Sequence, residues 1–236
     1  MQKRYIIITT LMVMLAIQGC ATIHIKPTTR DSQLLHFAPH PNQEMVLMLP
    51  LEFQEYKYVG SPTKNMVYAA RTFEFSIGGP LSDSIYKQLS VSFPKLKIER
   101  KYYDDCRETM IIPSVKRFEF AGIEPNRLPF NALFADWSAW VRITILVELR
   151  GFPGTKYPVV FNVVGEGFSS AKGMVFGKKN FDEAASRAIE QVAINLATEV
   201  NKQCNHDHLV LVDLHERTQT ATAGRSGRSS WKRVKA

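Results

Sequence analysis

The chain is 236 residues long, with 45% hydrophobic and 22% charged residues, a globular balance that allows one domain of ordinary size with a real core. Its formal charge of +8 is not spread evenly: residues 217–236 hold Arg217, Arg225, Arg228, Lys232, Arg233 and Lys235 and no acidic residue. No nucleic-acid-binding motif accompanies this basicity, and beyond the N-terminus no stretch is apolar and long enough to span a bilayer, which excludes a nucleic-acid partner and a helical membrane domain from the reading.

The N-terminus is built like an export signal. Lys3 and Arg4 form a short positive region, Tyr5–Ile17 is apolar apart from Thr9 and Thr10, and no charge follows until Lys26. That apolar run falls short of the ~20 residues a membrane span needs, and it closes on a small residue that suits cleavage. Ile17-Gln18-Gly19-Cys20 resembles the lipobox of bacterial lipoproteins, with Gln18 an unusual occupant of its position. The resemblance implies cleavage before Cys20, diacylglycerol on its thiol and acylation of the new amino group, with palmitate among the acyl chains. Several chains anchor durably, since each buried methylene contributes ~0.8 kcal/mol. Ala21 stands where such proteins carry aspartate for inner-membrane retention, so the resemblance implies the outer membrane.

Residues 1–19 are therefore expected to be a signal peptide, and its loss leaves 28 basic against 22 acidic residues, a charge of +6 that the 217–236 segment alone supplies. Residues 20–43 contain Pro27, Pro39 and Pro41 among Thr, Ser, Asn and Gln, without sustained periodicity. They are expected to form the lipidated N-terminus and a flexible tether reaching roughly 25–30 Å.

The domain is expected over 44–216. Glu44–Pro50 and Leu51–Tyr58 read as strands, and Val67–Ile77 as extended, with Phe73, Phe75 and Ile77 alternating against polar neighbours. Leu81, Ile85 and Leu89 recur at helical spacing, which predicts an amphipathic helix over 80–92 that Pro94 ends. Residues 95–98 alternate as a strand, and Thr109–Phe120 is a strand whose Pro113 requires an edge or a bulge. The clearest alternation follows: Val141, Ile143, Ile145, Val147 and Leu149 on one side, Arg142, Thr144, Glu148 and Arg150 on the other. Gly151–Pro158 is a turn to an antiparallel partner, Val159–Phe168, which ends at Gly165-Glu166-Gly167. Asn180 caps a second helix, with Glu183 completing a capping box; its stripe is Ala185, Ile189, Val192, Leu196 and Val200, and it ends near Gln203. A short strand is expected over 208–214 and a disordered basic tail over 217–236.

These elements predict an α+β fold, a mostly antiparallel sheet with two principal helices packed on one face. Lipobox, tether, strand, helix, long strands and an Ala-rich helix after Gly-x-Gly resemble the periplasm-facing lipoproteins of lipopolysaccharide assembly and transporter auxiliaries, over residues 1 to about 203. The resemblance implies a binding or scaffolding subunit and no enzyme.

The chemistry-bearing residues are sparse. With Cys20 lipidated, Cys106 and Cys204 remain as a candidate disulfide in an oxidising compartment. Cys204, His206 and His208 offer thiolate and imidazole to a metal, yet meet no standard ligand spacing. Neither Gly-x-Ser-x-Gly nor His-Glu-x-x-His occurs. Phe134, Trp137 and Trp140 lie in an aromatic group before the long strand, suited to core packing or to an interaction surface.

The sequence thus predicts a non-catalytic outer-membrane lipoprotein facing the periplasm and needing no cofactor. Its partners are membrane lipid through Cys20, an envelope protein, and an anionic lipid or polyanion at the basic tail; no nucleic acid is expected. The alternatives are a lipoprotein that holds a lipid or small ligand between sheet and helices, and, last, a metal-dependent enzyme.

Overall fold

The alternating run at 141–150 lies in the central strand pairing of the fold. The computed structural model describes residues 22–29, 39–41, 43–62, 71–101, 108–123, 136–151, 157–172 and 177–223; the side chains of 123, 136, 172 and 205–223 are outside the description. Three long strands dominate: β6 (Thr109–Ile123), β7 (Asp136–Arg150) and β8 (Val159–Lys172), paired antiparallel in that order. Along β7 the odd-numbered residues from Trp137 to Leu149 are buried and the even-numbered ones half-buried, so period 2 sorts the two faces as the sequence predicts. Pro113 lies on β6 beyond the last residue paired to β2 (Met45–Met48), and a register shift falls between Val115 and Arg117. Pro113 therefore sits where β6 has no β2 partner, the edge position open to a strand proline, while the bulge falls further along, past Val115.

The class is α+β, and its long pairings are antiparallel. The strands form two sheets. The larger has the order β5-β2-β6-β7-β8, with β5 (Leu96–Glu99) parallel to β2 and β2 parallel to β6. The smaller has the order β1-β4-β3, from β1 (Ile23–Ile25), β4 (Phe73–Ser76) and β3 (Lys57–Gly60). Aromatic rings join the two: Phe73 stands 5.1 Å from Phe120, Phe75 4.9 Å from Phe118, and Tyr58 4.6 Å from Phe118, centroid to centroid. Phe181, on helix α3 (Lys178–Ala223), closes the cluster 5.0 Å from Phe73 and 5.9 Å from Phe120. Rings at these separations add to the burial of large apolar surface. Helix α2 (Gly78–Ser92) buries Leu81, Ile85 and Leu89, the predicted stripe.

Several expectations are corrected. Within the expected tether over 20–43, the described residues include β1, whose Ile23 pairs in parallel with Phe73 and whose Ile25 is fully buried. The following backbone is pinned to α3, Lys26 N–H to Asp182 at 2.9 Å and Thr28 N–H to the Ser186 hydroxyl at 3.1 Å. Leu51–Tyr58 is not one strand: Leu51–Gln54 is a helical turn, α1, behind Pro50, whose fixed φ suits a helix start, and β3 begins only at Lys57. The strand expected over 208–214 and the helix end near Gln203 are replaced by backbone helix to Ala223. Between Gly177 and Gly224 the sequence has no glycine or proline to stop it. The domain boundary expected at 216 thus falls inside this helix; the chain divides into a unit running to Ala197 and another from Thr198.

Another concerns Gly165 and Gly167, read as a strand end. They are interior to β8, and they lie under α3: a methyl group at Gly165 would approach Val192 N to 2.6 Å, and one at Gly167 would reach 2.6 Å from Ala188 N and collide with the Ala184 carbonyl. Asn180 is the third helical residue and not the cap; its side-chain oxygen accepts the Gly177 N–H at 3.0 Å, the backward half of a capping box. Replacing Gly167 by alanine forces helix backbone off strand backbone, and is expected to cost about 2–4 kcal/mol. Gly177→Ala meets nothing within 4 Å, so a urea titration of the two variants should show a large fall in midpoint for the first alone.

Candidate interaction surface

β8 is the terminal strand of the larger sheet, so one of its edges has no strand partner among the described residues. An unpaired row of carbonyl and N–H groups invites edge-to-edge association unless something covers it. Here α3 does so from the side. Arg187 donates to the Phe168 carbonyl at 2.7 Å, and Asn195 donates to the Val164 carbonyl at 2.7 Å. Gln191, between them on the same helical face, donates to Asn195 at 2.8 Å, and Arg187 pairs with Glu183 at 2.7 Å one turn back. Strand and helix thus bound a groove of about 460 Å³, lined by Glu166, Gly167, Phe168, Arg187, Glu190, Gln191 and Ile194.

On the sheet face that continues from this groove, the register pairs Trp140 with Phe168 and Arg142 with Glu166. Phe168, four residues before the end of β8, is 46% exposed. Arg142 Nε lies 3.3 Å from a Glu166 oxygen, close enough for an ion pair yet without hydrogen-bond alignment. Ser138 and Ser170 exchange a hydroxyl hydrogen bond of 2.8 Å further along. An aromatic pair flanked by an exposed ion pair and a polar groove has the composition of a protein-contact surface, in which aromatic residues and arginine are favoured.

The sequence-predicted residues are distributed as follows. Trp137 and Trp140 differ by an odd number of positions, so one strand turns them to opposite faces: Trp137 is 8% exposed on the helix-covered side and Trp140 half-buried on the other. Phe134, Cys106 and Cys20 lie outside the described residues. Cys204 is buried on α3, and the side chains of His206 and His208 are outside the description. Among the described residues no three His, Cys, Asp or Glu side chains are grouped to hold a metal. The stripe Arg187, Gln191, Asn195 escaped the sequence reading, although its spacing of four marks one helix face beside the apolar stripe.

No family model matches this chain, and no curated protein sequence matches it. Several solved structures are similar. Protein XCC0632 from Xanthomonas campestris, of the family model DUF330, is 12% identical with a TM-score of 0.44, over 80% of this chain and 99% of its own. A neuraminyllactose-binding hemagglutinin homolog from Helicobacter pylori is 13% identical with a TM-score of 0.47, over 79% and 99%. A minor lipoprotein from Acinetobacter baumannii is 11% identical with a TM-score of 0.34, over 75% and 96%.

Removing both edge-capping side chains, Arg187→Ala with Asn195→Ala, leaves the Phe168 and Val164 carbonyls without these donors. Each lost bond is expected to cost about 0.5–1.5 kcal/mol, and the bared edge is expected to raise concentration-dependent self-association, read by sedimentation velocity against the parent.

Proposed function

We propose that this chain is a lipid-anchored envelope protein without catalytic activity, held in the outer membrane through acylated Cys20. Its folded body faces the periplasm and serves as a binding or scaffolding component of an envelope assembly or transport system. The observation that carries this reading is the run from Lys3 to Cys20, in which charge, apolar length, small residue and cysteine follow one another in the order that export and lipidation require. Cleavage before Cys20 would cost the fold none of its described elements, since the first, β1, starts at Ile23.

The surface offered by Trp140, Phe168, Arg142 and the β8–α3 groove supports a protein partner. The basic residues after Arg217 add a contact for anionic lipid or a polyanion. A ligand-binding reading would use the same open groove. Its lining by Glu166, Arg187 and Glu190 favours a polar ligand over an acyl chain. On the buried side of β8, α3 rests against the backbone at Gly165 and Gly167 and leaves a lipid no space there.

Membrane fractionation of the wild type and Cys20→Ala, with intact mass of the mature N-terminus and labelling by a palmitate analogue, tests the proposal. The wild type is expected to carry acyl mass on Cys20 and to sediment with outer membrane, and the variant to lose both. An uncleaved N-terminus, or a variant that fractionates like the wild type, would overturn it.

A further inference from the structure

The anchor and the fold are separated by almost nothing. Only Ala21 and Thr22 lie between Cys20 and β1, so the Cα atoms of Cys20 and Ile23 can be no more than about 11 Å apart even in a fully extended chain. Ile23 is itself fixed, its N–H bonded to the Thr72 carbonyl at 2.9 Å and its register set against Phe73. Position 23 therefore marks which end of the body the lipid holds.

That end is defined by contacts within the unit ending at Ala197. Phe73, the β4 partner of Ile23, packs on Phe120 near the end of β6 and on Phe181 in the first turn of α3. Beyond β1 the chain descends alongside α3, Lys26 at Asp182 and Thr28 at Ser186. The start of β1 is thus level with the end of β6, the beginning of β7, the end of β8 and the N-terminus of α3. Lys178 and Lys179 are exposed there at the head of α3, Lys178 with an ion-pair partner in Asp182 at 3.7 Å. At the opposite end lie the beginning of β6 and its neighbours β2 and β5, with Lys97 between Glu44 and Glu108. β6 is 15 residues long, so these ends stand about 45 Å apart at ~3.3 Å per residue.

Resting on the lipoprotein reading, we infer that this sheet end, marked by Ile23, Thr72, Lys178 and Lys179, is the membrane-facing surface of the protein, and that its occupant is the phospholipid headgroup layer into which the Cys20 acyl chains insert. A spacer of two residues keeps the body on the bilayer instead of letting it range above it. Exposed lysines at that boundary suit an anionic headgroup layer, whose attraction acts only over a Debye length.

The test uses the acylated full-length protein in vesicles of phosphatidylethanolamine and phosphatidylglycerol, compared with Cys20→Ala protein mixed with the same vesicles. Flotation reads anchorage; pulse acetylation of lysine amines, quantified by peptide mass spectrometry, reads orientation. Expected is flotation of the acylated protein alone, with Lys178 and Lys179 modified several-fold more slowly than in Cys20→Ala and Lys97 modified at an unchanged rate. Flotation with equal rates at both ends, or with protection at Lys97 instead, would overturn the inference while leaving the lipoprotein reading intact. Failure of the protein to carry acyl mass and float would remove both together.

Discussion

The chain that follows the N-terminal strand, and the aromatic cluster beneath it, depend on how closely helix α3 approaches strand β8. Side chains ordinarily stand between a helix and the sheet it packs on. Gly165 and Gly167 remove two of them from one face, and Ala184, Ala188 and Val192 present little bulk from above, so helix backbone lies on strand backbone. From that level the first turn of α3 drops Phe181 into the rings of Phe73, Phe75 and Phe120. It also brings Asp182 and Ser186 within reach of the Lys26 and Thr28 N–H groups. A larger residue at either glycine would lift the helix and loosen all of these contacts at once.

The buried side of the fold was legible because its signals are periodic and local. Alternation at 141–149 and the Leu81, Ile85, Leu89 spacing each lie within one element, and burial follows both. What escaped has its cause elsewhere in the chain. Ile23-His24-Ile25 sits among prolines and threonines and is a strand only because Phe73–Phe75 lies alongside. Gly165 and Gly167 read as the end of a strand because glycine weakens strands; their role is steric and belongs to a helix that begins at Lys178. Leu51–Gln54 forms a helical turn behind Pro50, in keeping with the helix preference of Leu51, Glu52 and Gln54 that the strand reading passed over.

The candidate surface shows the same division. Trp140 could be placed on the less buried face by counting along β7, and the same count separates it from Trp137. Arg187 and Asn195 could not be assigned to the edge of β8 from sequence, since their acceptors at Phe168 and Val164 are carbonyls, which carry no residue identity. These two contacts show how the helix that buries one face of the terminal strand also occupies part of its open edge. A strand of 14 residues would otherwise present a long template for pairing.

A body fixed by one end to a membrane acquires a direction that a tethered body lacks. With a 23-residue tether, any face could meet a partner, and the gain in local concentration would be spread over every orientation. On the proposed anchoring, a spacer of two residues would commit the sheet end at Ile23 to lipid, while the strands carry the other end up to about 45 Å away. Tyr157, 74% exposed just before β8, and Ile98 on β5 lie toward that distal end, whereas Phe168 lies in the half of β8 nearer the Ile23 end. A partner in the same membrane would meet Phe168 and the β8–α3 groove first, and one arriving from the aqueous side would meet the Tyr157 end. On that proposal the length of the spacer would select which exposed aromatic residue each kind of partner can reach, without any contact of its own.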